Sequence, residues 1–185
     1  MRRRTNMKTT HTLIAVAGLL IATNGFAAGS DEANLLKTLP ASKHKLLDAI
    51  QQVSKGGETP TAAKFEYEDG DIHLAVYSSS KGTKMDAEHN VLKEHKGDPK
   101  QVAWKPEVEV FKDAEHISRA AEYHTLMEIS PSSIADIAMK AQSEGDQVVW
   151  VIPMVAAGKP VFDVGVVKGG KLSHVQFGLL DGKQK

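Results

Sequence analysis

The chain has 185 residues, 41% of them hydrophobic and 25% charged, with 23 basic side chains, 23 acidic ones and no cysteine. The apolar content suffices for one ordinary domain or two small ones. The lack of cysteine excludes disulfides, thiolate metal sites and cysteine catalysis.

The zero net charge is misleading, because it includes a segment with the features of a signal peptide. Arg2, Arg3, Arg4 and Lys8 precede an apolar run from Leu13 to Ala22, then Asn24-Gly25-Phe26-Ala27-Ala28. A basic start, a short apolar run and small residues before a cut after Ala27 describe a secretory signal peptide over residues 1–27. The run is too short for a membrane span. Met7 is an alternative start. The reading predicts an exported, periplasmic protein with no membrane attachment once the signal is removed. Removal takes away four basic residues and no acidic one, leaving 19 basic against 23 acidic, a net charge of −4. The excess is uneven: residues 31–128 hold 18 acidic and 13 basic side chains, residues 129–185 only 5 and 6. An acidic chain of this kind argues against nucleic acid as a partner.

In chain order, Asp31–Leu39 reads as a short helix stopped by Pro40. Ser42 reads as the cap of a stronger helix, with Leu46, Leu47, Ile50 and Val53 on its buried face and Gly56-Gly57 at its end. Strands are predicted over 62–68 and 71–79. Polar residues 81–100 follow, in which Val91-Leu92 marks a short strand. Residues 101–111 alternate, with Trp104, Pro106, Val108 and Val110 opposite Lys105, Glu107 and Glu109. Asp113 reads as the cap of a helix to about Met127, and Ser130-Pro131 as the start of another that ends at Gly145. Strands 147–155, 160–167 and 172–180 complete the chain.

The stretch from Lys64 to His73 reads as a hairpin turned by Asp69-Gly70. Alternation puts Phe65 and Tyr67 on one face and Glu66 and Glu68 on the other. After the turn, Ile72, Leu74 and Val76 oppose Asp71 and His73.

The helix-then-strands pattern occurs twice. Ser42…Asp48-Ala49-Ile50 and Ser130…Asp136-Ile137-Ala138 lie 88 residues apart. The expected fold is therefore α+β, two tandem modules that each lay a helix on a small antiparallel sheet. Their bounds are 28–112 for the first and 113–185 for a linking helix plus the second. The run Ser130-Pro131-Ser132-Ser133-Ile134-Ala135-Asp136-Ile137-Ala138-Met139-Lys140-Ala141, followed by Gly158-Lys159-Pro160-Val161-Phe162-Asp163-Val164, resembles the PepSY domain family. The family's closing strand is similar to Asp86-Ala87-Glu88-His89-Asn90-Val91-Leu92, with Asn90 in place of a glycine at positive φ. The resemblance implies one of two roles. One is a regulatory or inhibitory module that binds a secreted protease or envelope protein. The other is that of periplasmic proteins of methylotrophic bacteria, with two PepSY modules and no cysteine, that bind lanthanide ions. Size, export signal, duplication and the acidic first half are similar to the second group.

Lanthanides are hard trivalent cations that take oxygen ligands, with calcium as a weaker competitor for such a site. No EF-hand loop is present, so ligands must come from the sheet face and turns. The candidates are Glu66, Glu68, Asp69 and Asp71 of the hairpin, Glu107 and Glu109 two apart on a later strand, and Asp113 with Glu115 at a helix start. If residues 64–68 and 102–111 neighbour each other, four glutamates converge and favour cation capture. Asp86 and Glu88 form a further cluster. Alternating glutamates also serve solubility and edge protection, Asp113 also reads as a cap, Asp69 as a turn residue, and Glu115 is spaced to pair with Arg119. No two histidines have i,i+4 spacing, so a zinc, copper or nickel site is not indicated. Ser78-Ser79-Ser80 and Ser132-Ser133 lack a nucleophile-elbow motif, and no phosphate-cradling loop is present. The expectation is a binding protein rather than an enzyme. An exposed apolar patch on the second module would favour a protein partner.

Overall fold

A computed structural model describes residues 30–143 and 146–185. The signal-peptide reading of residues 1–27 and the helix stop at Gly145 lie outside the described residues. Helix α1 (Ser30–Thr38) passes at Pro40 into a 3-10 turn, Leu39–Ala41. Helix α2 (Leu46–Lys55) buries Leu46, Ala49, Ile50 and Val53, the spacing of one helical face. Ser42 does not cap it. The Ser42 hydroxyl accepts from His44 N at 3.2 Å and donates to His44 O at 2.8 Å, closing its own turn. The helix starts after Lys45, whose N–H donates to Asp48 Oδ2 at 3.3 Å. Helix α3 (Ala114–Glu128) begins as expected, with Asp113 Oδ1 accepting from His116 N at 3.0 Å. Helix α4 (Ile134–Ala141) is capped three residues later than expected. Ser133 Oγ accepts from Asp136 N, and Asp136 Oδ2 accepts from Ser133 N, a reciprocal capping box. Ser130 instead donates to Leu179 O at 3.1 Å, tying this loop to the C-terminal segment.

Between α2 and α3 run β1 (Thr59–Glu68), β2 (Asp71–Ser79), β3 (Leu92–Gly97) and β4 (Glu107–Val110), and after α4 come β5 (Gln147–Ala156), β6 (Lys159–Lys168) and β7 (Lys171–Gly178). The tight turns β1–β2 and β5–β6 place both central residues at positive φ: Asp69 at 52° and Gly70 at 86°, Ala157 at 49° and Gly158 at 75°. That is the primed-turn geometry matching strand twist. Asn90, expected at positive φ, is not among such residues. Its side chain staples the β2–β3 loop, accepting from Lys81 N at 3.0 Å and donating to Gly82 O at 2.8 Å.

The architecture is α+β, with all seven strands in one antiparallel sheet ordered β4-β3-β2-β1-β5-β6-β7. Two separate small sheets were expected. They are merged because β1 and β5 pair, Ala63 with Val151 and Lys64 with Trp150. Helices α2 and α4 pack side by side on one face, over a core that mixes Phe65, Leu74 and Val76 with Phe162, Val164 and Phe177. Helix α3 covers part of the opposite face, where Ala120 and Tyr123 meet Ala62, Ala75, Tyr77, Leu92 and Phe111. Strand β3 was all but hidden in sequence, because four of its six residues are charged or histidine. The 101–111 alternation yields only four strand residues: Trp104 is buried, whereas Val108 and Val110 are 54% and 41% exposed on an outer strand.

Trp150 lies flat over Gly165, where an added Cβ would sit 2.5 Å from ring atoms. Gly165→Ala is expected to destabilise the fold by about 1–3 kcal/mol through overpacking, read as a lowered urea midpoint with an unchanged slope.

Candidate functional site

Strand alternation places Lys64, Glu66 and His73 on the face shared with α3, and β3 contributes Glu94 and Lys96 to it through the pairs Tyr77–Glu94 and Ala75–Lys96. The expected neighbour of the hairpin glutamates does not arrive. Strands β2 and β3 lie between β1 and β4, three strand spacings of about 4.8 Å, or roughly 14 Å. The four glutamates 66, 68, 107 and 109 therefore do not converge.

Lysines take the place of a cation. Glu66 is ion-paired with Lys64 and, at 2.9 Å, with Lys96; Lys96 also pairs with Glu68. Burial pushes the Glu66 carboxyl up, but Lys64 and Lys96 more than reverse this and leave it below the ordinary glutamate range. Burial disfavours the Lys96 charge, and Glu68 and Glu66 outweigh it, so its pKa is raised. Asp71 pairs with Lys100, whose hydrogen bond lowers the carboxyl pKa. Asp69 is an exposed turn residue. Asp113 is held down first by the His116 backbone N–H it caps, then by the His116 ring. Glu115 reaches Arg119 at 3.6 Å. The cap and turn readings of these residues hold, and three of the hairpin carboxylates, Glu66, Glu68 and Asp71, are already paired with lysines. Glu107 and Glu109 stand exposed on β4, opposite Lys96 and Glu94.

Glu94 is the carboxylate out of balance. Burial raises its pKa, and the nearby Glu66 charge raises it further, against a hydrogen bond from Tyr77. The sequence offered no sign of this, because Glu94 stood in a polar stretch with no recognisable strand period.

Three acidic or histidine side chains do gather in the β2–β3 loop. Ligand atoms of Asp86, Glu88 and His89 lie within 4.8 Å of one another, and all three residues are exposed. Asp86 Oδ1 accepts from His89 N at 3.0 Å and from His89 Nδ1 at 2.8 Å, and the ring bond leads the lowering of its pKa. Lys81 Nζ donates to His89 O at 2.9 Å, and the Asn90 amide donates to Met85 O at 3.3 Å. The loop is thus built by its own polar side chains, and two carboxylates point outward from it. They fit part of a hard-cation shell, with water left to complete the six to eight oxygens.

Two buried serine–histidine pairs brace the same region. Ser79 Oγ lies 2.6 Å from His124 Nδ1, and His124 Nε2 lies 2.6 Å from Met85 O. A carbonyl only accepts, so Nε2 carries the proton and Nδ1 accepts from Ser79. Both side chains are fully buried. Ser78 bonds His95 at 3.0 Å, and Ser80 donates to Glu58, which pairs with Lys93 at 2.6 Å. Burial lowers the His95 pKa. Both ring nitrogens of His124 and the Ser79 hydroxyl are thus spent on the scaffold.

No family model matches the chain, and no curated protein matches it. Among solved structures, a candidate lipoprotein of Clostridium difficile 630 is similar at 14% identity and a TM-score of 0.36, over 78% of this chain and 91% of that one.

Replacing Glu94 by glutamine keeps an acceptor for Tyr77 and removes the charge that burial and Glu66 oppose. Because the folded-state pKa is raised above 4.5, the native protein loses stability as pH rises through that value. Glu94→Gln is therefore expected to be more stable than the parent at pH 7, read as a higher Tm. The gain should shrink toward zero in melts below pH 4.

Proposed function

We propose that the chain is an exported binding protein for hard cations, with lanthanide-type trivalent ions preferred and calcium a weaker competitor. The observation that carries this reading is the approach of Asp86, Glu88 and His89 in the β2–β3 loop. The acidic excess of residues 31–128 and the PepSY-like helix-and-strand duplication support it. The proposed centre thus moves from the hairpin, whose carboxylates are matched by Lys64, Lys96 and Lys100, to the loop between β2 and β3. Exposed Glu107 and Glu109 offer further outward carboxylates on the same acidic half. Two modules of PepSY type, fused through β1 and β5, describe the architecture in this reading. A binding role rather than a catalytic one is supported by the burial of Ser79 and His124, which leaves that pair no route to a substrate.

Terbium tests the reading. Ala87 packs against the cluster containing Tyr77 and Tyr123, so excitation of tyrosine should sensitise an ion held by its neighbours Asp86 and Glu88. A saturable emission is expected, lost in the double variant Asp86→Asn, Glu88→Gln and kept in Glu66→Gln, Glu68→Gln. Calcium should displace the ion only in large excess. Absence of saturable emission together with absence of heat on titration rejects the cation reading. Emission that survives the loop variant places the ion elsewhere.

A further inference from the structure

Strands β5, β6 and β7 lay a floor on the face that carries α3. Register makes Ile152, Asp163 and Gln176 one row of it, with Gly165 beside Trp150 on one side of that row and Val161 beside Met154 on the other. Asp163, on the middle strand, is thus central to the floor. Helix α3 rests against β5, and with the three strands it bounds a groove of about 1480 Å³. Most of the floor around Asp163 is apolar or glycine, whereas the walls carry charges of both signs.

Asp163 differs from the other sunken carboxylate of this face. The Glu66 side chain is 15% exposed and is held by two lysines. That of Asp163 is 17% exposed, and among the described residues it has no lysine or arginine within 4 Å. Its partners are two rings. Trp150 Nε1 donates to Asp163 Oδ2 at 2.8 Å, and His174 Nδ1 stands 3.4 Å away, beyond an ordinary hydrogen bond. The indole is buried and pinned flat on Gly165, so the carboxylate is aimed before anything enters the groove. Two basic side chains on the walls are already matched, Arg119 by Glu115 at 3.6 Å and Lys185 by Asp181 at 3.1 Å. Lys159 starts four residues down β6 from Asp163, about 13 Å along the strand. The charge at the centre of the floor is therefore a single oriented carboxylate without a cation.

We propose that the groove binds a small organic cation, a primary ammonium on an apolar stem, with Asp163 as its counter-ion. An ammonium is compact and needs one acceptor, which Asp163 Oδ1 supplies. A guanidinium fork needs both oxygens, and Oδ2 is taken by Trp150. A metal ion fits less well, because one carboxylate supplies too few of its six to eight oxygens. The stem has Ile152, Met154, Val161 and the 60% exposed Leu180 to lie against. The groove exceeds the roughly 300–1,000 Å³ of small-molecule pockets, so such a ligand fills the part beside Asp163 rather than the whole. The site shares no residue with the β2–β3 loop and stands whether or not that loop takes an ion.

Trp104 and Trp150 are the chain's two tryptophans, so nitrogen-15 labelled protein gives two indole N–H signals, which Trp104→Phe assigns. The probe is hexylammonium chloride, titrated at constant ionic strength. The Trp150 signal is expected to shift to saturation while that of Trp104 stays still, and hexan-1-ol and hexanoate should saturate neither. Asp163→Asn keeps an acceptor for Trp150 but removes the charge, and should weaken binding by at least about tenfold. Leu180→Lys, at an exposed position, leaves the floor intact and sets a like charge beside the stem, so it too should weaken binding. No saturable shift, or equal saturation by hexan-1-ol, overturns the proposal. So does undiminished affinity in Asp163→Asn, or in Leu180→Lys should the first variant not fold. Tighter binding of hexylguanidinium or of Nα-acetyl-lysine amide overturns the small-amine assignment, in favour of an arginine or lysine side chain of a peptide.

Discussion

Everything in this molecule depends on the short antiparallel pairing of β1 with β5. Two residue pairs, Ala63–Val151 and Lys64–Trp150, turn a four-strand and a three-strand meander into a single sheet. With that join made, α2 and α4 fall on the same face and touch, and the core beneath them draws side chains from both halves. An exposed β1 or β5 edge would present unpaired backbone groups; each strand satisfies the other. The join also lets α3 lie across the seam on the second face, touching β5 as well as β1, β2 and β3.

The electrostatics of the hairpin follow from the same strand order. The partners of Glu66 and Glu68 on this face are Lys64 on β1 itself and Lys96, which reaches across β2 from β3. A carboxylate row on a sheet face has two stable outcomes, a cationic side chain from a neighbouring strand or an external cation. The hairpin has taken the first. In the β2–β3 loop Asp86 is paired with His89, and Asp86, Glu88 and His89 are all exposed to solvent.

Much of the fold was legible because its signals are local. The primed turn at Asp69-Gly70, the alternation of Phe65 and Tyr67 with Glu66 and Glu68, the Asp113 cap and the strand-rich second half all appear where residue type and period place them. The failures are equally physical. Ser42 and Ser130 carry the right chemistry for caps, but both hydroxyls are claimed by other backbone groups, His44 in one case and Leu179 in the other. Strand β3 is held by pairing on both sides rather than by apolar alternation, so its own six residues gave little sign of it. For the candidate site, residue type singled out the acidic segments, but strand order decided which carboxylates were neutralised. No local pattern encodes that Lys96 reaches Glu66.

A shared core places the two halves under unequal freedom to diverge. Substitutions on the α2–α4 face are felt by both halves of the sheet at once. The loops carry no such double constraint. Acids can gather in the β2–β3 loop without disturbing the packing of either half in the core. The lopsided charge of residues 31–128 is carried outside the shared apolar core.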